Sequence, residues 1–418
     1  MTDGAAAAGP PAEPPDPTTS TAEAPLRVST LEIFFDLVFA FTLTQLTSVL
    51  AGRLSWLTVG QVLLVFGLLW WMYGAYAWLT NSRPPVHTAE RIGLLAGMAG
   101  FLIVGIAIPR GFGSYAVVLG LGYLLVVLVH AFLYYRVNTN IIRVAPFNIA
   151  SALLVITAGL LHGPGGTASV AAYLLWIAAL GVQLGSPLVV HPAGLFQLQP
   201  AHFVERHSAL LIVAIGESVA AVGIGAAGPV SRLRGTDWRL LAIALLGLVV
   251  AAALWWMVFG SGDDERAEQV LTWASSARRP ATALSAFFYG FIPLLLGLVG
   301  LAAGVLIAVR LAGSSGGSGG SAGQSAVLAC GAALFLGGNA AIRWHLRIGP
   351  TWLRTLAAAL ALATVAVGLA AGLDVQLVVV AAVLVLPLLA DGRRAVPSGP
   401  ADPSGPSEHA PAGPGAAG

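Results

Sequence analysis

Two carboxylates stand at the start of the first apolar stretch of the sequence, which reads "LEIFFDLVFAFTLTQ" at 31–45. Glu32 and Asp36 are four residues apart, so they share one face of a helix. Two negative charges at that spacing repel each other, which favours an arginine between them or a proton on one of them. Arg27 or an arginine of a neighbouring helix is a candidate partner. We therefore interpret the pair as a candidate proton or ion site.

Each carboxylate also has a purely structural interpretation. The motif "STLE" at 29–32 fits a capping box, in which Ser29 caps the helix and Glu32 returns to the free backbone amides. Asp36 lies seven residues beyond Ser29, about 10 Å along the axis, so a cap cannot account for it. A polar clamp between helices is the alternative role for Asp36.

A third carboxylate, Glu217, lies near the middle of the apolar run at 208–227, in "IVAIGESVAAVGIGAAG". An ionisable group at that depth normally faces protein or water and marks a functional site. The small residues around it predict close helix approach. The alternative is a buried protonated hydrogen-bond partner. Earlier in the same segment, Glu205 and Arg206 are predicted to form an interfacial salt pair.

The candidate ion or proton sites are therefore Asp36, Glu217, Glu32 and Glu205. The residues that support them in the surrounding motifs are Phe34, Phe35, Gln45, Arg206 and Ser218.

Several classes of chemistry are excluded by residue types that the sequence lacks. All 20 basic residues are arginine, so neither a Schiff-base lysine nor a Walker A lysine exists. No HExxH helix, GxSxG elbow or Cys/His cluster at metal spacing occurs, and Cys330 is the only cysteine. The sequence predicts no catalytic residue, metal or cofactor, and we expect a protein that is not an enzyme.

Composition identifies the class of protein that must position these acids. With 57% hydrophobic residues and a mean hydropathy of +0.85, the chain has too little polar surface for a soluble globule of this length. We predict an all-α polytopic integral membrane protein with about twelve transmembrane helices. They are placed at 31–52, 56–80, 90–108, 114–135, 142–161, 169–190, 202–226, 238–260, 281–309, 324–345, 352–371 and 374–390.

The chain divides into four predicted regions. Residues 1–26 form a disordered arm that lacks the pattern of an export signal, and 395–418 form a disordered tail. The membrane region divides into a first half, 27–200, and a second half, 201–394, of about six helices each. "GSSGGSGGSAG" at 313–323 is predicted to be a flexible linker.

The arginines predict the orientation. Fourteen of them lie on the side that carries both termini and six on the other side, and flanking positive charge stays in the cytoplasm. We therefore expect a plasma-membrane protein with both termini cytoplasmic. Its partners are the lipid bilayer and a small solute, a proton or a monovalent cation. The net charge of +2 gives no indication that the protein binds nucleic acid. The formation of a homo-oligomer is left open by the sequence.

An internal duplication is predicted from similarities between the halves. Trp-Trp-Met occurs at 70–72 in the second segment and at 255–257 in the eighth. Both the first and seventh segments begin with a glutamate, Glu32 and Glu205. A shift of six helices preserves orientation, so the halves would be parallel six-helix repeats. Chance similarity among Leu- and Ala-rich helices is the alternative.

Two blocks of the sequence resemble a known family. "LEIFFDLVFAFTLTQL" at 31–46 resembles the first-helix signature of the bacterial low temperature requirement protein A (LtrA) family, and "ERHSALLIVAIGESVAAVG" at 205–223 resembles its second block. The likeness extends over about 31–390. The resemblance implies a polytopic membrane protein linked by name to growth in the cold, without a settled biochemical activity.

The first segment is also similar to the Phe-Ser-Asp signature of endolysosomal and prokaryotic potassium channels, which are built from two six-helix repeats. This sequence departs from that signature at Phe35, where the channels have Ser, and at Thr30, where they have Arg. In the seventh segment Ala209 replaces the aspartate. The resemblance implies, at most, a shared ancestor with a cation channel.

Three functions follow as hypotheses. The first is a secondary transporter that uses Asp36 and Glu217 as proton or cation sites between two halves. The second is a cation or proton channel whose pore is lined by the first and seventh helices. The third is a noncatalytic membrane protein with a structural or sensing role.

Overall fold

The computed structural model describes residues 27–139, 141–161, 168–190, 198–230, 238–312 and 321–392. The predicted arm at 1–26, the tail at 395–418 and most of the predicted linker at 313–323 lie outside these residues. Ser321, at the end of that linker, already caps the next helix with its side chain.

The described chain is all-helical, as predicted. Its helices are α1 Thr30–Gly52, α2 Trp56–Ser82, α3 Thr88–Ala107, α4 Ala116–Tyr135, α5 Ile141–Leu160, α6 Val170–Val189, α7 Pro200–Val230, α8 Trp238–Phe259, α9 Asp263–Trp273, α10 Arg279–Ala283, α11 Phe291–Ala312, α12 Ala322–Leu346, α13 Trp352–Ala371 and α14 Leu373–Gly392. A short 3₁₀ turn, Ile108–Arg110, extends α3, and a π-helical turn, Leu284–Tyr289, joins α10 to α11.

The predicted membrane-spanning segments are confirmed. Among the described residues, eleven helical segments are long and apolar enough to cross a bilayer, and the apolar part of α14 adds a shorter twelfth. The polar helix α9, which carries three acidic residues in its first turn, was not predicted. It follows α8 in the chain. Its sequence "DDERAEQ" at 263–269 is too polar to be a membrane span.

The start of α1 follows the predicted capping box. The Ser29 hydroxyl accepts a hydrogen bond from the Glu32 backbone amide at 3.3 Å. In return, the Ser29 backbone amide donates to Glu32 Oε2 at 2.9 Å. These two bonds satisfy amides that have no partner within the helix. They also fix the depth at which α1 presents its acids.

Close helix packing is clearest between α11 and α12. A Cβ atom added at Gly297 would stand 2.3 Å from the Phe335 backbone nitrogen, and one at Gly331 would stand 2.4 Å from that of Leu301. Glycine on both helices therefore lets the two backbones meet, as small residues do in membrane proteins.

Contacts between helices follow a similar order in the two halves. In the first half α1 packs on α3, α3 on α4, α4 on α5 and α5 on α6. In the second half α7 packs on α11, α11 on α12, α12 on α13 and α13 on α14. This order is compatible with a duplication, which stays a prediction, as does the division at residue 200. The halves meet mainly where α1 packs against α7 and α11.

Candidate functional site

The predicted carboxylates of α1 meet an arginine of α7. Arg206 Nη1 donates a hydrogen bond to Glu32 Oε1 at 2.7 Å, and its Nη2 donates to Asp36 Oδ1 at 3.3 Å. All three side chains are fully buried. One guanidinium thus joins two acids that are one helical turn apart, and it does so across the contact between the two predicted halves. The sequence left two candidate partners for these acids, Arg27 and an arginine of a neighbouring helix. Arg206 is an arginine of the second kind.

Helix α2 supplies two further polar groups. The Tyr73 hydroxyl donates to Asp36 Oδ1 at 2.9 Å, and Thr80 Oγ1 accepts from Arg206 Nη1 at 2.7 Å. Tyr73 and Thr80 are seven residues apart, two helical turns, so they lie on the same face of α2. The guanidinium and its acids are therefore held by three helices.

His202 and Asn81 complete the network on the side of Glu32. His202 Nε2 lies 3.2 Å from Glu32 Oε1, and Asn81 Nδ2 lies 3.3 Å from His202 Nδ1. Asn81 is oriented by two backbone bonds to Gln199: Nδ2 donates to its carbonyl at 3.0 Å, and Oδ1 accepts from its amide at 2.9 Å. Because the Asn81 amide nitrogen is a donor, His202 Nδ1 accepts and Nε2 carries the proton to Glu32.

Aromatic rings enclose the charged groups. The Arg206 guanidinium lies 5.5 Å from the ring centre of Phe35 and 5.8 Å from that of Tyr73, within cation–π range. Phe35 in turn contacts the rings of Tyr76 and Phe101, at 4.9 Å and 5.4 Å between centroids. Charges in such surroundings interact more strongly than in water, because the local dielectric constant is low.

The net charge of this network depends on its protons. With Glu32 and Asp36 ionised, Arg206 positive and His202 neutral, the network holds one excess negative charge. Within the described part of the chain, Asp36 Oδ2 is buried and has no hydrogen-bond partner. A single proton on Asp36 would make the whole network neutral. We call Glu32, Asp36, Tyr73, Thr80, His202 and Arg206 the α1–α7 charge network.

Glu205 does not pair with Arg206, so the predicted interfacial salt pair is wrong. Consecutive residues on a helix point about 100° apart, and only Arg206 faces the interior. Glu205 is half-buried, and its Oε2 accepts from the Val28 backbone amide at 3.1 Å. It therefore holds the segment that leads into α1.

Glu217 lies apart from the charge network. It is eleven residues beyond Arg206 on α7, about 16 Å along the axis, and is half-buried. The Thr44 hydroxyl of α1 donates to its Oε2 at 3.3 Å. Asp36 and Glu217 thus have different neighbours, although both lie on the α1–α7 contact.

The close helix packing predicted around Glu217 is not observed. Cβ atoms added at Gly216 and Gly223 would have no atom of another residue within 4 Å. Gly216 and Gly223 therefore border open space in the single chain.

The supporting residues are divided between the inside and the outside of the bundle. Phe35 is buried beside Arg206, whereas Phe34 is exposed. Gln45 and Ser218 are half-buried, and the Ser218 hydroxyl donates to the Ala214 carbonyl of its own helix at 2.9 Å. Of these residues, only Phe35 and Arg206 take part in the site.

Three residues of the charge network were not predicted: Tyr73, Thr80 and His202. His202 and Arg206 are four apart on α7, as Glu32 and Asp36 are on α1, and that matched spacing is a signal the sequence carries. Tyr73 and Thr80 give no comparable signal because tyrosine and threonine are common in apolar helices.

Among the described residues, no three His, Cys, Asp or Glu side chains are grouped as metal ligands would be. The guanidinium of Arg206 also occupies the position between the two acids that a cation would need.

Comparison with known proteins identifies relatives but no solved structure. The family profile described as bacterial low temperature requirement A protein (LtrA) matches residues 27–389. An uncharacterised protein of Rhizobium meliloti (strain 1021) is 25% identical over 289 residues, which cover 66% of this chain and 68% of the relative. No solved structure matches the chain significantly.

Proposed function

The chain belongs to the bacterial low temperature requirement A (LtrA) family of membrane proteins, and we propose that it is a proton-coupled secondary transporter. The family description connects it with a requirement at low temperature. In this proposal it lies in the plasma membrane with both termini in the cytoplasm, and the α1–α7 charge network is its proton site.

One observation carries the proposal: two buried carboxylates share one arginine where the two halves meet. With a neutral His202 they carry one excess negative charge. Buried ionisable groups in membrane helices are costly and often lie on proton or solute pathways. In many transporters the two halves move against each other around such a site. Asp36 is the group whose protonation removes the excess charge.

The network gives protonation a direct effect on the helix contact. Arg206 bonds to Glu32 at 2.7 Å and to Asp36 at 3.3 Å. A proton on Asp36 removes its attraction for Arg206, while Glu32 keeps its shorter bond. The contact between α1 and α7 is then weaker, because one of its two ion pairs is lost. A carrier requires this kind of dependence of conformation on protonation.

A proton suits this site better than a metal cation does. Arg206 already brings a positive charge to Asp36, and like charges at this separation repel strongly in a medium of low dielectric constant. A proton forms a covalent bond to one carboxylate oxygen and needs no set of ligands. Coupling to a monovalent cation is therefore the less favoured form of the same hypothesis.

The two other hypotheses make different predictions about α1 and α7. A channel lined by these helices needs a space between them, whereas Asp36 and Arg206 are in direct contact and Tyr73 covers them. A noncatalytic structural protein needs the network only as a clamp. In that case variants of Asp36 would change the amount of protein and nothing else.

Flux measurements test the proposal. Full-length protein in liposomes that contain a pH-sensitive dye would be exposed to a panel of amino acids, sugars, neutral aromatic solutes and monovalent cations. We expect at least one solute to drive proton movement by wild type and not by Asp36→Asn.

Asp374→Asn is the matched control, because Asp374 pairs with Arg239 at 2.6 Å in a partly exposed position. Proton movement by Asp36→Asn at the wild-type rate, with equal protein in the liposomes, would contradict the proposal. Equal rates for wild type and Glu217→Gln would exclude Glu217 from the coupling.

A further inference from the structure

A cavity of about 190 Å³ lies on the opposite face of α2 from the charge network. Its walls come from α2, α4, α5, α6 and the π-helical turn that precedes α11. Five aromatic side chains line it: Trp71, Trp78, Tyr134, Phe288 and Tyr289. No Asp, Glu or Arg is among the described residues that line it, so its walls favour an uncharged molecule.

Two polar groups of the cavity wall have unused hydrogen-bonding capacity. Asn148 Oδ1 accepts from Trp71 Nε1 at 3.3 Å, and the Asn148 amide nitrogen donates to no other described side chain or backbone group. His130 is 3% exposed, and its Nε2 has no partner among the described residues. A buried polar group without a partner is costly. A ligand hydroxyl suits this lining because it can accept from the Asn148 amide and donate to the His130 ring nitrogen.

We propose that this cavity binds a neutral, single-ring molecule that carries one hydroxyl group, and that such a molecule is the solute the carrier moves. The second part rests on the proposed transport function. An apolar cavity of about 150 Å³ holds benzene, so the volume here suits one ring with a small substituent. Aromatic walls suit a flat ring, because offset and edge-to-face contacts are favourable.

The walls of the cavity are linked to the charge network through α2 and α7. Trp78 lies on the cavity, and its ring centroid is 5.1 Å from that of Phe203, three residues before Arg206 on α7. Trp70 Nε1 donates to the Phe288 carbonyl at 3.0 Å in the π-helical turn, and π-helical turns often mark functional positions. A shift of α7 after protonation of Asp36 would therefore reach the cavity wall.

A glycine keeps the cavity wall in place. A Cβ atom added at Gly74 would stand 2.7 Å from a ring carbon of Phe288. Phe288 can therefore approach the α2 backbone closely and form one side of the cavity. Ala75, the next residue, also lines the cavity and is the natural position at which to fill it.

Binding of 4-fluorophenol to the full-length protein in nanodiscs, followed by fluorine NMR, tests the proposal. We expect saturable binding by wild type and none of comparable affinity for 4-fluorobenzoate, which is charged. Ala75→Phe should weaken binding at least tenfold, because the added ring occupies the cavity. Ala171→Phe places the same ring on the exposed surface of α6 and should bind as wild type does.

Asn148→Leu provides a second variant that keeps the branched shape of the side chain and removes its polar atoms, and we expect it to weaken binding about fivefold. Absence of saturable binding by wild type would overturn the proposal, as would equal affinities for folded Ala75→Phe and Ala171→Phe. Phospholipid that co-purifies with wild type, is not displaced by 4-fluorophenol and is lost in Ala75→Phe would identify an acyl chain as the occupant and also overturn it. Asp36→Asn should still bind 4-fluorophenol, so a failure of coupling and a failure of this site are distinguishable.

Discussion

At the level of single residues, the site depends on three charged side chains that are buried together: Glu32, Asp36 and Arg206. Glu32 has two roles: it completes the cap of α1 and it bonds to Arg206. Asp36 has no capping role. It bonds to Arg206, and its Oδ2 has no hydrogen-bond partner among the described residues. The two acids are therefore not equivalent, although their spacing on α1 makes them look like a symmetric pair.

This asymmetry predicts different costs for removing each charge. Asp36→Asn leaves Glu32 paired with Arg206, so the network becomes neutral and we expect a small loss of stability. Arg206→Gln leaves two buried carboxylates without a cation, and breaking a buried pair in this way typically costs about 3–5 kcal/mol. Thermal unfolding of the purified protein in detergent would rank the two variants.

The double variant with Arg206→Gln and Asp36→Asn is the internal control. It removes the repulsion between the acids, so it should be more stable than Arg206→Gln alone. If Arg206→Gln unfolds at the wild-type temperature, the network does not hold α1 against α7.

The sequence could predict the acids but only part of their surroundings. Asp36 stood out because a capping role cannot reach seven residues into a helix. Arg206 was assigned to the wrong partner because sequence neighbours are easier to pair than residues 170 positions apart. Which face of α7 points inward is settled by packing against α1, α2 and α11, and a single apolar sequence carries little information on that.

At the scale of helices, the fold depends on where glycine permits contact between backbones. The predicted spans matched the observed helices closely because length and hydropathy are set locally. Whether a small residue lies in a tight helix contact depends on the neighbouring helix, and the local sequence does not show this. Glycines of α11 and α12 lie in tight contacts, whereas Gly216 and Gly223 beside Glu217 do not. Composition alone could not distinguish these two situations.

Two glycines of α12 give a matched test of this point. Gly331→Ala places a methyl group 2.4 Å from the Leu301 backbone nitrogen, which must push α11 and α12 apart. Overpacking of this kind typically costs about 1–3 kcal/mol. We expect a lower unfolding temperature and a smaller yield of folded protein.

Gly337→Ala is the control on the same helix, because a Cβ atom there meets nothing within 4 Å. Alanine favours helix over glycine, so this variant should be as stable as wild type or slightly more so. Equal destabilisation by both variants would show that the α11–α12 contact is looser than described.

At the scale of the whole molecule, the two halves are joined by contacts of α1 with α7 and α11. The charge network lies where the amino-terminal parts of α1 and α7 meet the carboxy-terminal part of α2, and the cavity lies beyond α2 at the same end of the bundle. The sequence predicted two halves with a site between them. The cavity was not predicted because it is formed by five separate segments whose side chains are ordinary for a membrane helix.

Cysteine labelling tests the proposed orientation in cells. With Cys330, the single cysteine, replaced by serine, Ser318→Cys lies between α11 and α12 in the sequence and Ser398→Cys follows α14. A membrane-impermeant maleimide should label position 318 in intact cells and position 398 only after the membrane is permeabilised. The reverse pattern would invert the orientation predicted from the arginines.

We propose that Asp36 takes up and releases the proton that makes the α1–α7 charge network neutral. Charge displacement after a rapid pH change, recorded on a solid-supported membrane carrying the reconstituted protein, tests it without knowledge of the solute. Wild type and Asp374→Asn should give a transient current whose size depends on pH, and Asp36→Asn should give none. A transient of wild-type size from Asp36→Asn, at equal protein density, would contradict the account.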